Sequence, residues 1–394
     1  MDRTPSSPSK ATPKSGQRLV KAESSTIPIF RPWYDEAEEK AVTEVLRSGW
    51  IGLGPKTAEF EKRFAAYLEV PHSVAVNSAT AALHLALQAA IPSGGEVITT
   101  SMTFVSSNHA ILYNGAVPVF ADIEPDTLNI DVHSIERNLT DQTRAILVVH
   151  YGGHACDMDP ILALAQKRSI PVIEDAAHAC GGSYKGRKLG SIGTAGCFSF
   201  HAVKNLATGD GGMIAIHNPE FDKRLRRLRW CGIDKDTWDR SEVEQKYSWY
   251  YTVQELGFKY HMNDITAAIG LVQLDKLERG NARRREIVNY YNERFAGLGW
   301  LERPVEKEYT RSALHNYVVK LDRRDELIAH LQARGISAGV HYFPIHLYSM
   351  YRKFRADVPV TEHVWRRLVT LPLYPGMSDL DVERVVDTMR HFTA

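Results

Sequence analysis

Apolar residues recur along this chain in two alternating rhythms. In PKTAEFEKRFAAYLEV the residues Phe60, Phe64 and Leu68 lie one turn apart, the spacing of an amphipathic helix. Short apolar runs then alternate with helical stretches: SVAV at 73–76, a helix from about Thr80, EVITT at 96–100, a helix from about Ser106 and VPVF at 117–120. The alternation continues through AILVV at 145–149, a helix in ILALAQKRS, PVIE at 171–174, CFSF at 197–200 and MIAI at 213–216. Apolar strands interleaved with helices predict an α/β fold whose mostly parallel sheet is covered on both faces. Ligands of such sheets bind beyond the carboxyl ends of the strands.

Around residue 270 the rhythm changes. LVQLDKLERGNARRREIVNYYNERFAGL reads as a long polar-faced helix with a break near Gly280. A strand (NYVVKL), a helix (RDELIAHLQARG) and a final helix in MSDLDVERVVDTMRHF follow. Ser378 with Asp381 three residues on approximates a capping box for that last helix. The expected organisation is a large domain over 27–270 and a smaller α+β domain over 271–394. Residues 1–26 are rich in Ser, Pro, Thr and Lys and poor in large apolar side chains, so they read as a flexible tail rather than a secretory signal.

Composition narrows the function classes. A chain of 394 residues exceeds what one modest core usually supports. A formal net charge of +1 gives no global attraction to nucleic acid or an anionic membrane. The apolar stretch AALHLALQAAI at 81–91 is too short to span a bilayer. Cys156, Cys180, Cys197 and Cys231 are widely spaced, with no Cys-x-x-Cys pair, so neither a zinc site nor a disulfide framework is expected and a reducing cytoplasm is. No metal site is expected.

Two strand ends carry candidate chemistry. PVIEDAAHACGG runs an apolar strand into Glu174, Asp175 and then His178. A carboxylate there is costly unless a cation or hydrogen-bond donors meet it, and a helix N-cap is the plain alternative. GCFSFHAVKNLATGDGG ends a strand at Ser199-Phe200, places Lys204 after it and closes on Gly209, Gly211 and Gly212; an ordinary surface lysine is the plain alternative there. In combination with Asn77-Ser78-Ala79-Thr80 opening a helix after a third strand, these residues converge on one sheet edge. A cofactor with a pyridinium nitrogen, an aldehyde and a phosphate needs an anion, an amine and an anion cup. Asp175, Lys204, and the Ala79 and Thr80 amides with the Ser199 hydroxyl offer those three groups. The run KRLRRLRW at 223–230 has the charge to attract a diphosphate, but a solvated helix face is the favoured reading.

The chain resembles the DegT/DnrJ/StrS family of nucleotide-sugar aminotransferases, fold-type I pyridoxal-phosphate enzymes, over about residues 27–392. The segments SGWIGLGPKTAEFEKRFAAYL, VNSATAALHLAL, SMTFVSSNHAI, IEDAAHACGGSYKGRKLGSIGTAGCFSFHAVKNLATGDGG, LGFKYHMNDITAAIGLVQLDKL and LPLYPGMSDLDVERV follow the family pattern in order. The resemblance implies Lys204 as the Schiff-base lysine, Asp175 as partner of the pyridinium nitrogen, His178 near the phenolic oxygen, Phe104 stacked on the ring and Ser199 at the phosphate. It implies L-glutamate as amino donor, a keto nucleotide-sugar as acceptor, most often a 4-keto sugar, and a homodimer with shared sites. His261 departs from the Asn or Arg common in relatives, and either His261 or Asn263 is expected to reach the phosphate of the partner subunit. His315, His341, Tyr342 and His346 fall where relatives line the sugar pocket, and Trp50 lies in the entrance loop; packing is the alternative for each. The family's dehydratase branch replaces the lysine with His, so Lys204 points to amine transfer. Competing readings are the same chemistry on a non-nucleotide keto-sugar or keto-cyclitol, and a non-catalytic protein that kept the fold.

Overall fold

The alternating runs become a seven-stranded sheet in the computed structural model, which describes residues 26–91, 94–234 and 251–393. The tail expected over 1–26 lies outside the described residues except for Thr26. The sheet strands are β1 (His72–Val76), β2 (Gly95–Thr100), β3 (Ala116–Ala121), β4 (Thr143–Val149), β5 (Val172–Asp175), β8 (Ala195–Ser199) and β9 (Gly212–Ile216), and the short strands β6 (Ser183–Tyr184) and β7 (Arg187–Lys188) form a ribbon with β10 (Thr310–Arg311). Their order is β1-β9-β8-β5-β4-β2-β3. Only β9 runs against its neighbours; the β8–β5, β5–β4, β4–β2 and β2–β3 pairs are parallel.

Helices α1 (Glu36–Ser48), α2 (Pro55–Leu68), α3 (Ala79–Ala90), α4 (Val105–Tyr113), α5 (Val132–Asn138), α6 (Met158–Arg168) and α7 (Pro219–Arg229) accompany the strands. Successive strand side chains point to opposite faces, and the burial follows that period. Ala145, Leu147 and Ile173 pack with the apolar α3 residues Ala82, Leu83 and Leu87 on one face. Ile146, Val148 and Val172 pack with Phe60, Phe64 and Leu68 of α2 on the other. The predicted amphipathic stripe of α2 is therefore the lid of one sheet face. At about 25 cal/mol per Å² of apolar area, these two faces are the main stabilising term of the large unit.

Helix α8 (Asp264–Arg294) runs unbroken for 31 residues. The break expected at Gly280 is absent; that glycine lies against Trp33 and Pro375 inside the regular helix. The division expected at 270 falls within α8. Its first half contributes Leu271, Leu274 and Leu277 to the core under α2. Its second half contributes Ile287, Val288 and Tyr291 to a second core with β11 (Tyr317–Lys320), α9 (Arg324–Gln332), β12 (Leu368–Leu371) and α11 (Asp379–Arg390), while α10 (Pro359–Val364) leads into β12. The capping box expected at Ser378 and Asp381 is present. Among the described residues no helix is long and apolar enough to cross a membrane.

KRLRRLRW is a correction. Arg229 is buried and paired with Glu61, Arg226 reaches Glu61 and Asp222, and Arg224 and Arg227 reach Glu255. Glu61 projects from α2 beneath this helix and turns part of a basic face inward.

Helix α2 opens on Gly54, which has no side chain to cap it. Asp264 supplies the cap from α8, accepting from Lys56 N–H (3.0 Å), Thr57 N–H (2.9 Å) and the Thr57 hydroxyl (2.7 Å). Losing one acceptor for three donors, two of them at a helix N-terminus, should cost about 2–4 kcal/mol. Chemical denaturation of Asp264→Ala against wild type measures this, and a loss below about 0.5 kcal/mol would show that water replaces the cap.

Candidate active site

The carboxyl ends of β1, β2, β4, β5 and β8 open on a cavity of about 600 Å³. Three loops and one helix end bring the chemistry there. Ser78 caps α3, accepting from Ala81 N–H (3.1 Å), which leaves the first N–H groups of the helix, Ala79 and Thr80, on the cavity wall. The antiparallel start of β9 presses against this end. A Cβ on Gly212 would sit 2.6 Å from the Ser78 carbonyl and 2.8 Å from Ala79 N, so only glycine allows the approach. Ser199 ends β8 on the same wall, its hydroxyl accepting from His201 N–H at 3.3 Å. Hydroxyls and free amides at a helix N-terminus form an anion cup.

Asp175 ends β5, buried at 4% exposure. Its Oδ2 accepts from the Ser107 hydroxyl (2.7 Å) and its Oδ1 from Ala177 N–H (3.1 Å). Burial raises its pKa, which the Ser107 and Ala177 bonds and the Lys204 charge oppose without cancelling. Lys204, half-buried on the loop after β8, has its amine pushed down to about 8, by burial first, with Asp175 opposing. A carboxylate short of cationic company and an amine poised to lose its proton thus share one cavity. A cationic ring nitrogen would complete the first, and an aldehyde would react with the second. Pyridoxal phosphate carries both groups and a phosphate for the cup, so the residues present fit it.

Part of the lining comes from the C-terminal part of the chain: Val340, His341, Tyr342, Phe343 and Tyr348. The Tyr151 hydroxyl donates to the His341 carbonyl, and His341 Nδ1 lies 2.8 Å from the Thr370 hydroxyl, which ties this segment to the sheet edge and to β12. Burial, reinforced by Lys204, pushes His341 down to about 4. His178 is buried; burial, then the Lys204 and His341 charges, hold it well below the usual imidazole range, so its ring is neutral. Phe104 is exposed at the mouth, with its ring 6.4 Å from that of Tyr342.

Of the residues singled out from sequence, Ala79, Thr80, Phe104, Asp175, His178, Ser199, Lys204, His341 and Tyr342 line this cavity together. Five do not. His315 lies one layer behind, 4.4 Å from the His178 ring, stacked on Phe30 and fixed by Asn205 Oδ1 at 3.1 Å. His346 is buried between the Ser101 hydroxyl (2.9 Å) and Glu362 (3.2 Å), a packing histidine of the fold. Trp50 lies over Gly54 and donates to the Leu53 carbonyl at 3.0 Å. His261 packs edge-on against Trp230 at 4.4 Å, and exposed Asn263 caps α8 through Thr266 N–H. One or the other of these two was expected to reach the partner subunit, and their place outside this cavity leaves that expectation untested. Sequence reasoning missed Ser107, Asn205 and the Gly152 amide. Ser107, one turn after Thr103 and bonded to it at 2.8 Å, sits in an unremarkable SSNH run.

The profile of the DegT/DnrJ/EryC1/StrS aminotransferase family matches residues 32–390. Spore coat polysaccharide biosynthesis protein SpsC of Bacillus subtilis is 43% identical over 384 residues, 94% of this chain and 98% of that protein. Sugar aminotransferase CalS13 of Micromonospora echinospora superposes with a TM-score of 0.85 at 32% identity, over 92% of this chain and 99% of that one. Spr1654 of Streptococcus pneumoniae in its PMP form gives a TM-score of 0.87 at 35% identity, over 92% of this chain and 98% of that one.

The Lys204 pKa predicts selective chemistry. Acylation of Lys204 in cofactor-stripped protein should rise with pH through about 8, whereas exposed lysines rise near 10.4. Peptide mapping after brief labelling across this range checks it, and a Lys204 midpoint near 10 would refute the burial argument.

Proposed function

The chain belongs to the DegT/DnrJ/EryC1/StrS aminotransferase family and is a pyridoxal-phosphate-dependent sugar aminotransferase, and from that premise we propose that it passes the amino group of L-glutamate to the 4-keto group of a nucleotide-linked sugar. The observation that carries this reading is the meeting of Lys204, Asp175 and a helix N-terminus in one cavity. The spore coat polysaccharide relative supports a sugar acceptor.

When bound, pyridoxal phosphate supplies an aldehyde that holds the migrating amino group and a ring that accepts the electrons left when a proton leaves carbon. Lys204 anchors it and moves that proton: an amine pushed down to about 8 exchanges a proton at Nζ near neutral pH. Asp175 keeps a positive charge on the ring nitrogen, and Ser107 and the Ala177 amide keep both carboxylate oxygens oriented toward that task. The Ser199 hydroxyl and the amides of Ala79 and Thr80 take the phosphate. Phe104 and Phe343 add apolar surface to the cavity that holds Lys204.

A homodimer completes the reading, with His261 or Asn263 reaching the cofactor phosphate of the partner subunit. The Nδ1 atom of His261 is buried and has no hydrogen-bond partner among the described residues, so a contact with the partner subunit's phosphate would have to use the other ring nitrogen or Asn263. Burial, then Lys259 and Arg229, push this histidine to about 4, so it would meet the phosphate as a neutral donor.

Lys204→Ala should lose turnover by at least about 10³-fold, the scale of removing a general acid–base group. Borohydride reduction followed by mass spectrometry should find the cofactor attached to wild type and absent from the variant. Wild-type turnover by the variant, measured with L-glutamate and a panel of keto nucleotide-sugars, would sink the mechanism. Competition by a nucleoside diphosphate separates a nucleotide-linked acceptor from a free keto-sugar.

A further inference from the structure

The neutral His178 ring has both nitrogens committed. Its Nδ1 lies 3.3 Å from Gly152 N–H, a donor only, so Nδ1 must accept and the ring proton sits on Nε2. Nε2 lies 2.9 Å from the Tyr342 hydroxyl oxygen. Nε2–H therefore donates to Tyr342, and the hydrogen of the Tyr342 hydroxyl is left free to point into the cavity. The two rings are nearly parallel, 13° apart with centroids at 6.0 Å, and the Tyr151 ring meets Tyr342 edge-on at 6.4 Å, which fixes the direction of the phenol. The Tyr342 amide donates to Met102 Sδ at 3.4 Å, anchoring its backbone to the loop after β2.

The titratable groups facing Tyr342 come from four elements: Asp175 and His178 from β5 and its turn, Lys204 from the loop after β8, Tyr151 from the turn after β4, and His341 from its own segment. Asp175 accepts from Ser107 and Ala177, and its open acceptor sites are those left for the ring nitrogen. Burial, then the Asp175 charge, raise the Tyr342 pKa, so the hydroxyl keeps its proton at any working pH.

We propose that Tyr342, held by His178, is the hydrogen-bond donor to the anionic oxygen on the cofactor ring, and that His178 acts as a positioning residue rather than contacting that oxygen itself. The inference rests on the aminotransferase reading of this cavity, and it assigns to Tyr342 a contact that the sequence alone points to His178 for. A donor to the ring oxyanion stabilises the charged oxygen and so eases loss of the proton from the neighbouring nitrogen of the lysine-linked cofactor. The sequence Gly152 amide, His178, Tyr342 thus sets the pH at which that nitrogen titrates.

The test is a spectrophotometric pH titration of the holoenzyme, without amino donor or sugar, so a wrong sugar acceptor or donor cannot alter its outcome. Removing a hydrogen bond to a charged oxygen, at 1.36 kcal/mol per unit, should raise the midpoint of the visible band by about one to two units in Tyr342→Phe. His178→Gln retains an N–H to hold the phenol and should titrate within about 0.3 unit of wild type, below the one-unit scale of a lost charged bond. An unshifted Tyr342→Phe overturns the proposal. So does a His178→Leu shift larger than that of Tyr342→Phe, which would place His178 on the oxygen directly.

Discussion

A carboxylate buried at the end of a central strand, short of a cation of its own, is the constraint that organises this molecule. Asp175 and Glu174 are consecutive, so the strand period sends them to opposite faces. Glu174 is fully provided for: His150 Nε2 at 2.8 Å, and the amides of Gly190 (2.8 Å), Ile192 (2.7 Å) and Gly193 (2.6 Å). Those bonds hold its pKa below the usual range despite complete burial. Asp175 has one hydroxyl and one amide, and its pKa moves the other way. Of two neighbouring acids one is thus a structural clamp and the other is left open to the cavity, distinguished by how many donors reach each.

The surrounding walls follow from that asymmetry. The face with Glu174 can close because its charge is met, and the 190–193 turn folds down on it. The face with Asp175 stays open, and the elements around it present an amine, a helix end and an aromatic wall. The aromatic wall belongs to the C-terminal part of the chain, yet it is tied back to the large sheet through Tyr151 and to β12 through Thr370. Its position is therefore set from two sides.

Much of this was legible in the residues. The period-two apolar runs gave every strand of the large sheet except for its ends, because burial on both faces demands an apolar run. The meeting of Lys204, Asp175 and Ser199 on one cavity was legible because strand-end chemistry carries a local signature and the family pattern fixes its register. His315 and His346 were not separable from true cavity residues. A histidine in an HxY or FPxH segment looks the same whether it faces a ligand or a half-buried Asn205 or a buried Ser101, since only the fold brings those partners in from distant positions. Arg229 misled for the same reason: its acid, Glu61, lies 168 positions away. Gly280 misled because glycine's cost in a helix, about 1 kcal/mol, is small against packing along a helix with buried sides.

Helix α8 has a consequence for how such a chain could be cut or recombined. One unbroken helix furnishes part of the wall of both hydrophobic cores. A crossover at its start would leave the first core with foreign residues at Leu271, Leu274 and Leu277, and one at its end would do the same to the second core at Ile287, Val288 and Tyr291. The two units are distinct in packing but share a single inheritable beam, so shuffling between relatives should succeed where the helix travels whole with both cores and fail where a junction splits it.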